Sequence, residues 1–166
     1  MKLWPLIVLL STLVVSQITA AEVGAGQGSD QEQSKSLAMF VDKSILNSDK
    51  VLVMVAEIEG CSYCDRVKQE FLIPLSLDPT WASRFQVARL DMNSADDVAD
   101  FSGQIITQAQ LADQLGSTFS PTLMFLHPVT GVRLSEDIIG LTTPEFYGYY
   151  LQNNIAQAYE KLTGSL

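Results

Sequence analysis

Lys50–Gln69 reads KVLVMVAEIEGCSYCDRVKQ, and it contains the chain's only two cysteines, Cys61 and Cys64. The run Val51–Ala56 is apolar at every position and carries three valines. Such a run suits a strand buried on both faces, at the centre of a sheet covered by helices. Cys64 then opens a helical pattern with Val67, Phe71 and Leu72 on one side, and Pro74 should end or kink that helix. A strand, a short acidic loop, a Cys-x-x-Cys pair and a helix therefore follow one another directly.

Reading outward, Phe85–Met92 (FQVARLDM) predicts a second strand, parallel to the first because a helix lies between them. Residues 93–107 read as polar and irregular. Thr107–Leu115 predicts a short helix, with Thr107 as cap and Gly116 as stop. Thr122–His127 (TLMFLH) predicts a third strand, Pro128–Gly131 a tight turn, and Val132–Ile139 a fourth strand antiparallel across it. Thr143-Pro144-Glu145 predicts the start of a last helix, with Thr143 as cap and Pro144 at its first position. Its packing side should hold Phe146, Tyr150, Leu151, Ile155 and Tyr159, and it should run to about Leu162. Upstream, Leu37, Phe40, Val41 and Ile45 predict an amphipathic helix over Ser36–Leu46, and Asn47–Lys50 a turn. The order gives an α/β fold with a central mixed sheet of four strands, with room for a fifth, and helices on both faces.

The length of 166 residues is enough for one domain with a real core, placed over residues 36–166. The net charge of -9 argues against nucleic acid as a partner, since phosphate binding needs clustered Lys and Arg. Lys2, the apolar Leu3–Val15 and the small residues of SQITAAE predict a secretory signal peptide over residues 1–20. Its apolar run is shorter than the roughly 20 residues of a spanning helix. No stable membrane insertion is expected after cleavage. Residues 21–35, rich in Gly and Gln, read as a flexible leader. Export places the cysteines where disulfides form and persist.

Two cysteines this close can be a staple, part of a metal site or a redox pair. A disulfide closing so small a loop removes little unfolded-state entropy. A closed zinc site wants about four Cys or His ligands, and the chain has two cysteines and one histidine. Both considerations favour redox work. Unpaired N–H groups at a helix start stabilise a thiolate, which makes Cys61 the nucleophile. Cys64, one turn on, would attack the resulting mixed disulfide and release the partner.

The second signal is Phe119-Ser120-Pro121-Thr122, at the entry of the third strand. A proline there has lost a ladder donor. From spacing alone an ordinary trans loop proline is the simpler reading. Taken together, VLVMVAEIEGCSYC and STFSPTLMFL resemble the active-site strand and the cis-proline strand of the thioredoxin-like superfamily. The resemblance spans residues 36–162. With HPVTG and IIGLTTPEFYGYYL, it is similar to exported thioredoxin-related proteins of the SoxW type and to the C-terminal domain of membrane-fed thiol reductases. The resemblance implies a thioredoxin fold, a cis Pro121 against the cysteines, and a substrate surface formed by Ser120, Pro121, Ser62 and Tyr63. It implies a periplasmic protein-disulfide reductase without a bound cofactor or metal. Its partners would be protein disulfides and a membrane thiol-electron donor. A disulfide oxidant, an isomerase, or a chaperone or assembly factor with an accessory Cys-x-x-Cys are the alternatives.

The chain departs from thioredoxin in having GCSYC for WCGPC and Val55 where a buried acid stands six residues before the nucleophile. Glu57 and Glu59 are the nearest acids. Each is a candidate for moving protons to or from Cys64, or a solvated loop carboxylate. His127 reads as a structural or surface residue, and Asp91–Asp100 as a solvated acidic loop without calcium-loop spacing. Trp81 and the Phe146–Tyr150 cluster read as packing residues at the core or groove edge.

Overall fold

Every residue of the strand Val51–Glu57 is buried, and the fold is arranged around it. The computed structural model describes residues 37–164; the expected signal peptide (1–20) and leader (21–35) lie outside the described residues. Along the chain come β1 (Val51–Glu57), α1 (Ser62–Val67), α2 (Ile73–Leu77), α3 (Pro79–Ala82), β2 (Phe85–Asp91), β3 (Asp97–Ala99), β4 (Ile105–Thr107), α4 (Gln108–Gln114), β5 (Thr122–Leu126), β6 (Ile138–Ile139) and α5 (Pro144–Thr163). The main sheet has the order β2-β1-β5-β6. β1 pairs β2 in parallel and β5 antiparallel, and β5 pairs β6 antiparallel. This is the mixed four-stranded sheet of a thioredoxin-like α/β fold.

Strand alternation divides the apolar run between two cores. Val51, Val53 and Val55 face one cluster with Val67, Leu72, Phe125, Tyr147, Leu151 and Ile155. Leu52, Met54 and Ala56 face the other with Phe40, Leu90, Leu111, Met124 and Leu126. A strand covered by helices on both sides has no polar face to alternate with, so its sequence is continuously apolar. No helix among the described residues is long and apolar enough to cross a membrane.

The helical segment does not end at Pro74 but runs on to Leu77. A π turn, Lys68–Leu72, joins α1 to α2, and the Ile73 N–H donates to the Lys68 carbonyl five residues back. Proline has no N–H to donate, and its ring crowds the carbonyl four residues earlier, that of Glu70. The wider turn ahead of it makes room for the ring, and the helix continues to Leu77. α4 has the expected Thr107 cap, reinforced by a reciprocal bond from Gln110, and Gly116 follows with φ 69°.

Several expectations are corrected. Over the described part of Ser36–Leu46 there is no amphipathic helix. Residues 38–40 run beside β2, with Phe40 N donating to Arg89 O (2.7 Å) and Arg89 N to Ala38 O (2.8 Å). The pairing is a single bridge at Met39, so no fifth strand of the main sheet forms among the described residues. Asp42 caps a 3-10 turn, Lys43–Ile45, while Val41 and Ile45 are exposed. Tertiary pairing along the free edge of β2 has overridden the helical spacing. Residues 93–107 are not irregular throughout, since they contain the β3–β4 hairpin. Val132–Ile139 forms a ladder only at Ile138–Ile139, with one bridge at Arg133; Arg133 and Asp137 pair at 2.9 Å across the intervening excursion.

The last correction is the face of α5. Tyr147, Leu151, Ile155 and Ala158 are its buried stripe, while Phe146 and Tyr150 are exposed. Thr143 makes no side-chain cap and sits at φ 46°. Pro144 holds the first position as expected; Leu151 and Ile155 are buried and Tyr159 packs half-buried against the core as expected, while Tyr147 and Ala158 rather than Phe146 and Tyr150 complete the buried face. Tyr147 packs on Phe71 with ring centroids 4.8 Å apart. Burial pushes its hydroxyl pKa well up, and no hydrogen-bond partner among the described residues reaches it. Trp81 is half-buried against the same core, under the Arg84 guanidinium at 5.1 Å.

Phe40 is the anchor of the segment ahead of the sheet. It is 1% exposed and lies 5.3 Å from the Phe101 ring. Phe40→Ala should cost about 3–5 kcal/mol, measured by urea unfolding of the oxidised chain. A loss below about 1 kcal/mol would mean that the segment does not dock as described.

Candidate active site

The register of β1 and β5 sets Ala56 opposite Thr122. The residues leaving β1 and those entering β5 therefore meet at the same end of the sheet. Gly60, at φ 72°, turns the chain out of the Ile58–Gly60 loop. A side chain at that φ would be strained, so glycine is suited to the turn. Cys61 then stands as the N-cap of α1, its Sγ accepting from the Cys64 N–H at 3.1 Å. Cys61 and Cys64 are joined in a disulfide, with Cα atoms 5.3 Å apart. Cys61 is half-buried, whereas Cys64 is 1% exposed and packs with the core side of the helix.

Ser120 lies against this pair. The Ser120–Pro121 peptide bond is cis. The Ser120 Oγ is 3.1 Å from Cys64 Sγ and 3.5 Å from Cys61 Sγ. Pro121 is buried, and its carbonyl accepts from the Gly140 N–H at 2.7 Å. The turn after β6 is thereby fastened to the site. Ser62 and Tyr63 are both exposed. Two exposed apolar residues that the sequence reading did not single out, Phe119 and Ile139, stand beside Pro121. Ile139 pairs with Thr122, and the Phe119 ring covers Gly140.

The two candidate acids separate. Glu59 is exposed, as a solvated loop carboxylate would be. Glu57 is not solvated: it is buried at the end of β1, where Lys68 Nζ donates to one oxygen at 2.7 Å and Arg89 Nε to the other at 2.5 Å. Lys68 also pairs with Asp65 at 3.1 Å. Buried charges persist only when paired and hydrogen-bonded, and here two cations meet two carboxylates. Glu57, Glu59, Cys61, Lys68 and Arg89 line one cleft of about 440 Å³. Val55, at the position of thioredoxin's buried acid, is an ordinary core residue. Lys68 and Arg89 were not among the expected site residues. The available signal was Lys68 itself, four residues after Cys64 and therefore on the same, inward face of its helix.

The remaining candidates lie elsewhere. His127 directly follows β5, at the opposite end from Pro121, and its Nδ1 accepts from the Val129 N–H at 3.1 Å. It closes the Pro128–Gly131 turn. Asp91 belongs to β2 and Asp97 to β3. Asp100 turns one oxygen to the N–H groups of Ser102 and Gln104, each at 2.8 Å, and to the Ser102 hydroxyl at 2.7 Å. The hydroxyl bond, with the backbone bonds behind it, holds the Asp100 carboxyl below the usual carboxylate range. Among the described residues no group of three or more His, Cys, Asp or Glu is placed to hold a metal ion.

No family model matches the chain, and no curated protein matches it. Among solved structures it is similar to a thioredoxin-fold protein from Helicobacter pylori, with 18% identity, TM-score 0.49, and 77% of this chain and 94% of that one covered. It is similar to the Malassezia sympodialis thioredoxin at 19% identity and TM-score 0.49, covering 75% and 91%. It is also similar to the periplasmic thioredoxin SoxS from Paracoccus pantotrophus at 21% identity and TM-score 0.43, covering 66% and 99%. Likenesses this distant bear on no activity, so the chemistry of the site has to be argued from its own geometry.

Proposed function

We propose that the protein is a thiol–disulfide oxidoreductase that reduces disulfides in other proteins through a Cys61–Cys64 dithiol/disulfide cycle. The observation that carries this reading is the Cys61–Cys64 bridge at the start of a helix, with the Ser120 hydroxyl against it. A bridge this short stabilises little as a staple. The unequal exposure of its sulfurs fits a cycle of two roles. Cys61, half-exposed, is the sulfur a partner can reach, and Cys64, buried, is the one only Cys61 can reach.

In the reductive direction the Cys61 thiolate attacks a partner's disulfide and expels one partner thiolate. Cys64 then attacks Cys61 Sγ, restores the internal bridge and expels the second. Two electrons pass from the dithiol to the partner, and the two released thiolates take up protons. Ser62, Tyr63, Ser120 and Pro121 would form the docking surface. The exposed Tyr63, Phe119 and Ile139 supply apolar contact on its rim, which suits a polypeptide rather than a small polar disulfide. Glu57 and Glu59 open on the same cleft as Cys61 and are the proposed proton-transfer groups. The cysteines carry the electrons, so the cycle requires no further cofactor. Export to the periplasm, the membrane thiol-electron donor and the reductive direction are drawn from the N-terminal sequence and the family resemblance.

The test is the reduction potential of the Cys61–Cys64 couple, by equilibration with glutathione or dithiothreitol buffers. A value near about -270 mV is expected and is that of a reductase fed by a donor. A value near about -120 mV would make the protein an oxidant and reverse the proposed direction.

A further inference from the structure

We infer that the Ser120 hydroxyl is a positioning group that holds the Cys64 thiolate during the second half of the cycle; this rests on the oxidoreductase reading above. Cys64 must ionise to attack Cys61, yet it is 1% exposed and packed with Val67 in the core. Burial in apolar surroundings disfavours a thiolate. The Cys64 N–H does not relieve this, because it donates to the other sulfur, Cys61 Sγ. The hydroxyl 3.1 Å from Cys64 Sγ is the polar group in position to do so.

The chemistry of a hydroxyl matches both states of that sulfur. It accepts from the Cys64 S–H in the dithiol and donates its own proton to the thiolate once it forms. Its place is fixed by the chain on either side. Thr122 enters the β5 ladder opposite Ala56, the Pro121 carbonyl is held by Gly140, and the Phe119 carbonyl by the Thr122 hydroxyl. Cys61 needs it less. It is half-exposed, already has the Cys64 N–H at 3.1 Å, and lies further from Ser120, at 3.5 Å. The hydroxyl should therefore act unequally on the two sulfurs.

The resolving step balances without an added reactant. The Cys64 thiolate forms the bond to Cys61 Sγ, the Cys61–partner bond breaks, and the electron pair leaves on the partner's sulfur, which is protonated from water. As Cys64 loses its charge, the Ser120 proton has no anion left to serve. The hydroxyl then lies between two neutral sulfurs, which is the arrangement of the oxidised protein.

The experiment titrates each sulfur alone, by thiolate absorbance at 240 nm and by the pH dependence of alkylation with iodoacetamide. In a Cys61→Ser background, Ser120→Ala should raise the Cys64 midpoint by about one pH unit or more, a tenfold loss of thiolate, because a hydrogen bond to a charged group is removed. Ser120→Thr should restore it. In a Cys64→Ser background the same substitution should move the Cys61 midpoint by less than a third as much. An unchanged Cys64 midpoint, or equal shifts at both sulfurs, would overturn the inference. Turnover of insulin disulfides by the unsubstituted chain is measured beside it. Absence of that turnover sinks the oxidoreductase reading, while the titrations still decide whether Ser120 holds Cys64.

Discussion

Cys61→Ser is expected to reduce disulfide turnover to the uncatalysed background, while Cys64→Ala keeps the first attack and accumulates covalent adducts. The asymmetry follows from burial. The partner must meet a sulfur it can touch, and only Cys61 is half-exposed. A serine hydroxyl there is not ionised near neutral pH and cannot displace a thiolate, so no step of the cycle begins. With Cys64 removed, the mixed disulfide forms, but the group that would resolve it is gone. The measurements are insulin reduction with dithiothreitol as electron source, and non-reducing gels of the Cys64→Ala chain mixed with a disulfide-bonded protein. If Cys61→Ser kept full activity in cells, the cysteines would be accessory and the chaperone or assembly reading would replace the enzyme. If adducts formed instead on a Cys61→Ala chain, the order of attack would be reversed.

The centre of the fold was legible because its signals are local. Six successive buried positions, Val51–Ala56, call for an apolar run, and a helix cap needs only Thr107 and Gln110 three residues apart. The Cys-x-x-Cys pair is likewise contained in one helical turn. What stayed hidden depended on partners distant in sequence. Residues 38–40 gave up helical spacing for the edge of β2, some fifty positions on. On α5 Tyr147 took the place expected for Phe146, because both are aromatic and only packing against Phe71 chooses between them. Glu57 looked like a loop acid because nothing nearby in sequence announces Arg89 as its partner. The contact of Ser120 with both sulfurs needs the β1–β5 register, which no local pattern carries.

The buried charges beneath the site should make the second large effect. Lys68→Met is expected to destabilise the oxidised chain by about 3 kcal/mol or more, because it strips the buried Glu57 carboxylate of one of its two cations. The Lys68 and Glu57 side chains are only 4% and 6% exposed, so the remaining carboxylate oxygen cannot simply be hydrated. Methionine fills the volume of the lysine stem, which separates loss of charge from loss of packing. Arg89, with its side chain 17% exposed, still reaches water and Glu57 alike; its charge is the least costly of the three to leave unpartnered. Adding Glu57→Gln to Lys68→Met should therefore recover part of the loss, with a coupling of about 0.5–3 kcal/mol between the two sites. Urea unfolding midpoints of the four chains close the cycle. Strict additivity would mean that the pair does not act as a unit and that Lys68 is held by Asp65 alone. The same four chains also separate stability from chemistry. If Glu57 serves only to anchor Lys68 and Arg89 under the loop, the double variant should regain turnover along with stability. If it moves protons for the cysteines, turnover stays low in every chain that lacks its carboxylate, however well that chain folds.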